Sequence, residues 1–186
     1  GKNWGVNIVS NGDSYLVING RVIKNSFEEA VPPVFKGDNW FSIVKHQGVY
    51  SLITGKIGIN KIKTLFFSSN EIQYPYFTGS VSWVKENSKD GFYLIKDYRK
   101  RFGPYEEVYY PHFKGAFWAF VYRYNGKWFL KSYKYTFGPY DSIGEVEIDE
   151  KGRIFLAFKS NSQSYMLMNN HIVGPYEKIV YLSISK

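Results

Sequence analysis

A short phrase returns three times at a nearly fixed interval: Phe102-Gly103-Pro104-Tyr105-Glu106-Glu107-Val108, Phe137-Gly138-Pro139-Tyr140-Asp141-Ser142-Ile143 and Val173-Gly174-Pro175-Tyr176-Glu177-Lys178-Ile179. The tyrosines stand 35 and 36 residues apart. A period in this range means that one small supersecondary unit is repeated, and a unit of that size buries its apolar face only against its neighbours. The period therefore limits the chain to a repeat architecture before any single strand or helix is assigned.

The segment after each phrase also recurs, in Val108-Tyr-Tyr-Pro-His-Phe-Lys-Gly115, Ala30-Val-Pro-Pro-Val-Phe-Lys-Gly37 and Ile72-Gln-Tyr-Pro-Tyr-Phe-Thr-Gly79. This likeness places two degenerate copies upstream. The anchor column becomes Phe27, Ser69, Tyr105, Tyr140 and Tyr176, spaced by 42, 36, 35 and 36 residues. Five copies fill residues 1–186, read as a single domain. Lys56 to Asn60 forms an enlarged loop that accounts for the longer interval.

Inside a copy, apolar-aromatic runs alternate with turn signals. Asn11-Gly12, Asn125-Gly126 and Asp90-Gly91 lie between such runs, and these pairs mark tight hairpins because both positions accept positive φ. An aromatic stands near the start of the third strand in every copy, at Tyr15, Tyr50, Tyr93, Phe129 and Tyr165. Trp4, Trp40, Trp118 and Phe155 share another column and read as core between repeats. Aromatics make up 20% of the residues and no stretch keeps a helical stripe over two turns, which favours strands throughout. The predicted fold is all-β: a five-bladed β-propeller of four-stranded antiparallel blades, with the phrase leading from the fourth strand of one blade into the first of the next.

The two ends read as complementary. Val180-Tyr-Leu-Ser-Ile-Ser-Lys186 looks like a first strand with no partners after it, whereas Trp4 to Ser10 looks like a second strand with no first strand before it. The anchor spacing across such a join is 37, which matches the period. Val180 to Ile184 is expected to close the ring beside Trp4 to Val9 and cover an otherwise sticky edge.

The stretch Val146-Glu-Ile-Asp-Glu-Lys-Gly-Arg-Ile-Phe-Leu-Ala157, with Tyr165-Met-Leu-Met-Asn-Asn170 and Val173-Gly-Pro-Tyr-Glu-Lys-Ile179, resembles the WD40-like repeats of TolB-type propellers. The likeness covers the fourth and fifth copies well and the third in part. Asp149-Glu150-Lys151-Gly152 stands where those repeats carry Ser-Pro-Asp-Gly. A remoter resemblance, through Asn3-Trp4-Gly5-Val6, is to tryptophan-glycine repeat proteins. Both imply a propeller used as a binding platform, and neither implies a catalytic motif.

Function is less constrained. A formal charge of +8 and the absence of cysteine favour acidic partners and exclude disulfides and thiolate chemistry, but leave the compartment open. No apolar run reaches the roughly 18 residues of a membrane span. His46, His112 and His171 are scattered without metal-ligand spacing, and no phosphate loop or nucleophile elbow occurs, so neither metal nor cofactor is expected. Converging loops should bring Tyr74, Tyr110, Glu145 and Tyr181 to one channel mouth, with Glu106, Asp141 and Glu177 around them. The plainer role for those acids is to accept backbone hydrogen bonds locally. A second candidate is a basic rim of Arg99, Lys100, Arg101, Lys131 and Lys134 among aromatics, suited to an anionic polymer, although lysines on outer strands also protect exposed edges. The sequence thus reads as a non-catalytic, monomeric binding module for a protein or glycan, with nucleic acid less favoured. The alternative is a glycosidase-like enzyme using channel carboxylates such as Glu145 and Glu147.

Overall fold

The computed structural model describes residues 3–23, 26–59, 61–73, 75–78 and 81–182. Every regular element among them is a strand, and all the pairings are antiparallel. Five sheets follow one another along the chain. The first holds β1 (Gly5–Ser10), β2 (Asp13–Ile18) and the two-residue β3 (Arg21–Val22). The second holds β4 (Glu29–Ala30) and β5 (Val34–Lys36), both on β6 (Asn39–His46), then β7 (Val49–Lys56) and β8 (Ile62–Ser68). The third repeats this order with β9 (Glu71–Ile72), β10 (Tyr76–Thr78), β11 (Val81–Ser88), β12 (Gly91–Lys96) and β13 (Lys100–Tyr105). The fourth has β14 (Glu107–Val108), β15 (His112–Lys114), β16 (Phe117–Tyr124), β17 (Lys127–Ser132) and β18 (Thr136–Tyr140). The fifth has β19 (Ser142–Ile148), β20 (Ile154–Ser160), β21 (Gln163–Met168) and β22 (His171–Tyr176).

The chain divides into two compact units, Gly1–Pro75 with Val84–Ser88 and Ile95–Lys100, and Tyr76–Trp83 with Lys89–Leu94 and Arg101–Lys186. In the first, Leu16, Ile18, Phe27, Trp40, Val44 and Ile53 form a core joining strands of the first two sheets. In the second, Trp83, Phe102, Val108 and Phe120 form one cluster. Val121, Leu130, Tyr140, Val146, Leu156 and Phe158 form another between the fourth and fifth sheets. Rings dominate the former: Trp83 lies 5.2 Å from Trp118, 5.8 Å from Phe102 and 5.9 Å from Phe120, mostly at steep angles. Such edge-to-face pairs add about 0.5–1.5 kcal/mol each beyond the area they bury.

The first strand of the repeat departs from expectation for a reason its sequence carries. It breaks in two wherever proline falls in it, between β4 and β5 at Pro32-Pro33, between β9 and β10 at Pro75, and between β14 and β15 at Pro111. Proline offers no N–H to the ladder. The fifth copy has Val146 at that place and runs unbroken from Ser142 to Ile148.

The Gly-Pro-Tyr phrase, expected to lead out of the fourth strand into the next sheet, is itself the end of that strand. Trp128 pairs with Tyr140 and Leu130 with Phe137, so Phe129 alone faces Gly138 and Pro139. Tyr165 faces Gly174 and Pro175 in the same manner. Two residues against one is a β-bulge, one of the few places where a sheet tolerates proline. A Cβ on Gly138 would lie 2.8 Å from both the Trp128 carbonyl oxygen and Phe129 Cδ1, and its φ of 124° is hostile to any side chain. The phrase therefore exists to seat the aromatic ring of the third strand.

The strand expected to complete the first sheet falls on Val180 to Ile184. Residues 183–186 lie outside the described part, and Val180, Tyr181 and Leu182 carry no strand pairing among the described residues.

Candidate functional site

The first strands of the second unit carry its most chemically varied surface. Glu145 and Glu147 alternate along β19 with the buried Val146 and Ile148, so pairing with β20 turns both carboxylates outward. Strand β15 lies beside β19. His112, at its start, has its pKa pushed below the ordinary histidine value by desolvation, while the charge of Glu147 pulls it back up.

Tyr110 sits in the break before Pro111 and stacks on Tyr76, with ring centroids 6.0 Å apart. Tyr76 in turn lies 5.5 Å from Phe113, nearly parallel, and stays 47% exposed. The Leu182 amide donates to Glu145 Oε2 at 2.5 Å, which fixes the carboxylate beside Tyr181, itself 73% exposed. This surface presents open ring faces, fixed hydrogen-bond acceptors and an imidazole that burial biases toward its neutral form.

The other acids of the sequence reading are held elsewhere. Glu106 accepts hydrogen bonds from the Gly126 amide at 3.1 and 3.2 Å and pairs with Arg123 at 3.5 Å. Asp141 accepts from the Asn161 amide at 2.7 Å and from Lys127 at 2.6 Å. Glu28 accepts from the Gly48 amide at 3.3 Å. In each case a carboxylate just after the anchor residue binds a hairpin amide 20 residues downstream. Glu177 is exposed. Tyr74 lies outside the described residues.

Of the basic residues, Arg99 and Lys100 belong to the first unit and Arg101, Lys131 and Lys134 to the second. Arg101 lies 3.5 Å above the Tyr93 ring, Lys134 5.5 Å above that of Tyr133, and Lys131 donates to Thr136 Oγ1 at 3.3 Å. Among the described residues no group of three His, Asp or Glu side chains is placed to hold a metal ion. Among the same residues no helix is long and apolar enough to cross a membrane. The sequence marks Glu147 as a channel carboxylate of the glycosidase-like alternative, whereas Tyr76 and His112 are members of the surface outside the predicted site. Their signal was their place in the strand columns flanking Tyr110 and Glu145.

The fold and this surface define an all-β repeat protein of successive antiparallel sheets. No protein-family model and no curated protein matches the chain, so the likeness to WD40-like and TolB-type repeats rests on the residues quoted for it. Among solved structures the chain is similar to an oligogalacturonate lyase from Vibrio parahaemolyticus, with 11% identity and a TM-score of 0.45 over 90% of this chain. It spans 61% of that protein's length. The solved structure is that of an enzyme, so the expectation that this chain does not catalyse is withdrawn.

Proposed function

We propose that the five sheets are the blades of one propeller domain, closed by the C-terminal segment, and that the first strands of the later blades bind a glycan. The observations that carry the glycan reading are the stacked Tyr76 and Tyr110 rings and, in the same unit, the Glu145 carboxylate fixed beside Tyr181. Ring faces suit the apolar C–H faces of a sugar and carboxylates its hydroxyls. The repeat period, continued in five successive sheets, supports the propeller. Ending the chain before Val180 should then unfold or oligomerise it, and a shortened monomer of unchanged Tm would refute closure.

The test of binding is an oligosaccharide array followed by calorimetry on the hits. Tyr110→Ala and Tyr181→Ala should each weaken the best ligand at least about tenfold, the loss of about 1.4 kcal/mol, without lowering Tm. Replacing Arg99, Lys100 and Arg101 should change little. The reverse result, with affinity falling steeply as salt rises, would move the site to the basic outer strands. A second reading, in which the glycan is also cleaved, is favoured by His112 and Glu147 on adjacent strands, a pair able to move protons. Turnover of a bound oligosaccharide that His112→Ala abolishes would establish it.

A further inference from the structure

In the second unit the anchor residue begins a stack of three rings. Tyr140 lies 3.9 Å from Phe158, which lies 5.5 Å from Tyr165, and Tyr105 lies 4.2 Å from Tyr122, which lies 5.3 Å from Phe129. The second and third rings are cross-strand partners, Phe158 with Tyr165 and Tyr122 with Phe129. The first sheet junction keeps the anchor, Phe27, but puts Val44 opposite Ser51 where the two rings belong. Phe27 and Val44 remain buried. At the third sheet the same place holds the buried Glu86, gripped by Ser68 at 2.5 Å and Asn70 at 2.9 Å. Only the second sheet leaves it unfilled among these described positions, and a cavity of about 400 Å³ opens there, walled by Phe27, Val44, Ile53 and Ile62.

We propose that this cavity binds a planar aromatic ring bearing a hydrogen-bonding group, which completes against Phe27 the stack that the protein's own rings complete in the fourth and fifth sheets. A flat apolar wall supplies the stacking face. Ser26, His46, Ser51 and Thr64 line the remainder and supply three hydroxyls and an imidazole, so a bare hydrocarbon ring would leave polar groups unmatched. The volume is within the usual range of small-molecule sites. The inference does not depend on the glycan reading, since every lining residue belongs to the first unit.

The probe is indole, titrated into the isotope-labelled full chain and followed by amide chemical shifts. Saturable shifts are expected at Val44, Ser51 and Ile53 with Kd below about 1 mM, well within what a nine-atom ligand can reach. Cyclohexanol, polar but not planar, should bind at least about tenfold more weakly, the ratio that 1.4 kcal/mol represents. The variant V44F/S51Y rebuilds the ring pair of the fifth sheet and should abolish binding while Tm holds or rises. If that variant does not fold, the single variant S51F is read in its place. A blocked Gly-Trp-Gly peptide locates the source of the ring: tighter binding than indole assigns it to a partner's side chain, weaker binding to a free small molecule. Shifts confined to other residues, equal binding of cyclohexanol, or undiminished binding by the refilled variant would overturn the proposal.

Discussion

Asp141 and Asn161 are joined by a hydrogen bond of 2.7 Å from the Asn161 amide to the carboxylate, and the bond closes the hairpin between β20 and β21 onto the start of its own sheet. The Asp141 pKa is lowered by the Lys127 side chain first and by the Asn161 amide second. A carboxylate with a depressed folded pKa stabilises fully above its unfolded value near about 4 and loses that contribution as pH falls through the folded one. Melting temperature should therefore drop as pH falls below about 4, and should drop less in Asp141→Asn, which starts lower. Superimposable pH profiles would remove the charged latch from the account. Lys127→Ala should shrink this pH dependence while costing little stability at neutral pH, because Lys127 is the first cause of the shift and the ion pair is exposed on both sides.

The bulge glycines separate from the hairpin glycines under one substitution. Gly138→Ala forces a Cβ to within 2.8 Å of a backbone oxygen at a φ of 124°, whereas Gly126→Ala, at a φ of 70°, meets nothing within 4 Å. The first should cost well above the 1–2 kcal/mol or so of a left-handed alanine alone, and the second only about that amount. Chemical denaturation of the two variants gives both values. Equal losses would mean that both the Phe129 ring and the Trp128 carbonyl give way freely.

Tyr105, Tyr122 and Tyr140 resist ionisation because burial disfavours the phenolate, most strongly at Tyr105, where the neighbouring Tyr122 adds to the effect. A raised folded pKa gives stability that is complete below the unfolded value near about 10 and vanishes as pH climbs through the folded one. Ultraviolet titration should show late-ionising tyrosines that appear together with alkaline unfolding. Tyr122→Phe, which keeps the ring and removes the hydroxyl, should push that transition to higher pH.

His112 and Glu147 offer a check on the site that requires no ligand. Desolvation lowers the imidazole pKa and Glu147 opposes it, so Glu147→Gln should lower it further, as read from the ring proton resonances. Because the folded pKa already lies below the unfolded one, the associated stability is present above about pH 6.5 and is lost as pH falls. An imidazole that titrates identically in the variant would mean that the two groups do not face each other.

The spacing of the three phrases made the sheet order legible in advance, and Asn125-Gly126 placed a hairpin within a residue of the observed ends of β16 and β17. The register of the phrase was hidden, because Gly-Pro reads as a turn until the partner strand shows that Phe129 faces both residues. Tyr50 shows a similar limit. In the sequence it shares a column with Phe129 and Tyr165, yet in the sheet it faces Lys45, whose ammonium lies 5.1 Å from its ring, and Ser51 takes the place opposite Val44. A one-residue slip in a strand turns a side chain to the other face. That slip both concealed the cavity and produced it. The Glu145 contact with Leu182 was legible only in part, since the repeat column brings Glu145 and Tyr181 together but does not show that the next amide along the chain takes the carboxylate.

The latches that bind a carboxylate to an amide 20 residues downstream bear on how such a chain can change its length. Each begins just after the anchor residue and ends in the hairpin that follows, so a segment of about 36 residues cut anywhere across the copies that carry a latch contains one acceptor and one hairpin to receive it. An unequal crossover that adds or removes one whole period leaves every remaining carboxylate with an amide at the right distance. A partial insertion strands one of the two. Gene-level changes in whole periods are thereby made survivable by a bond much shorter than the period itself.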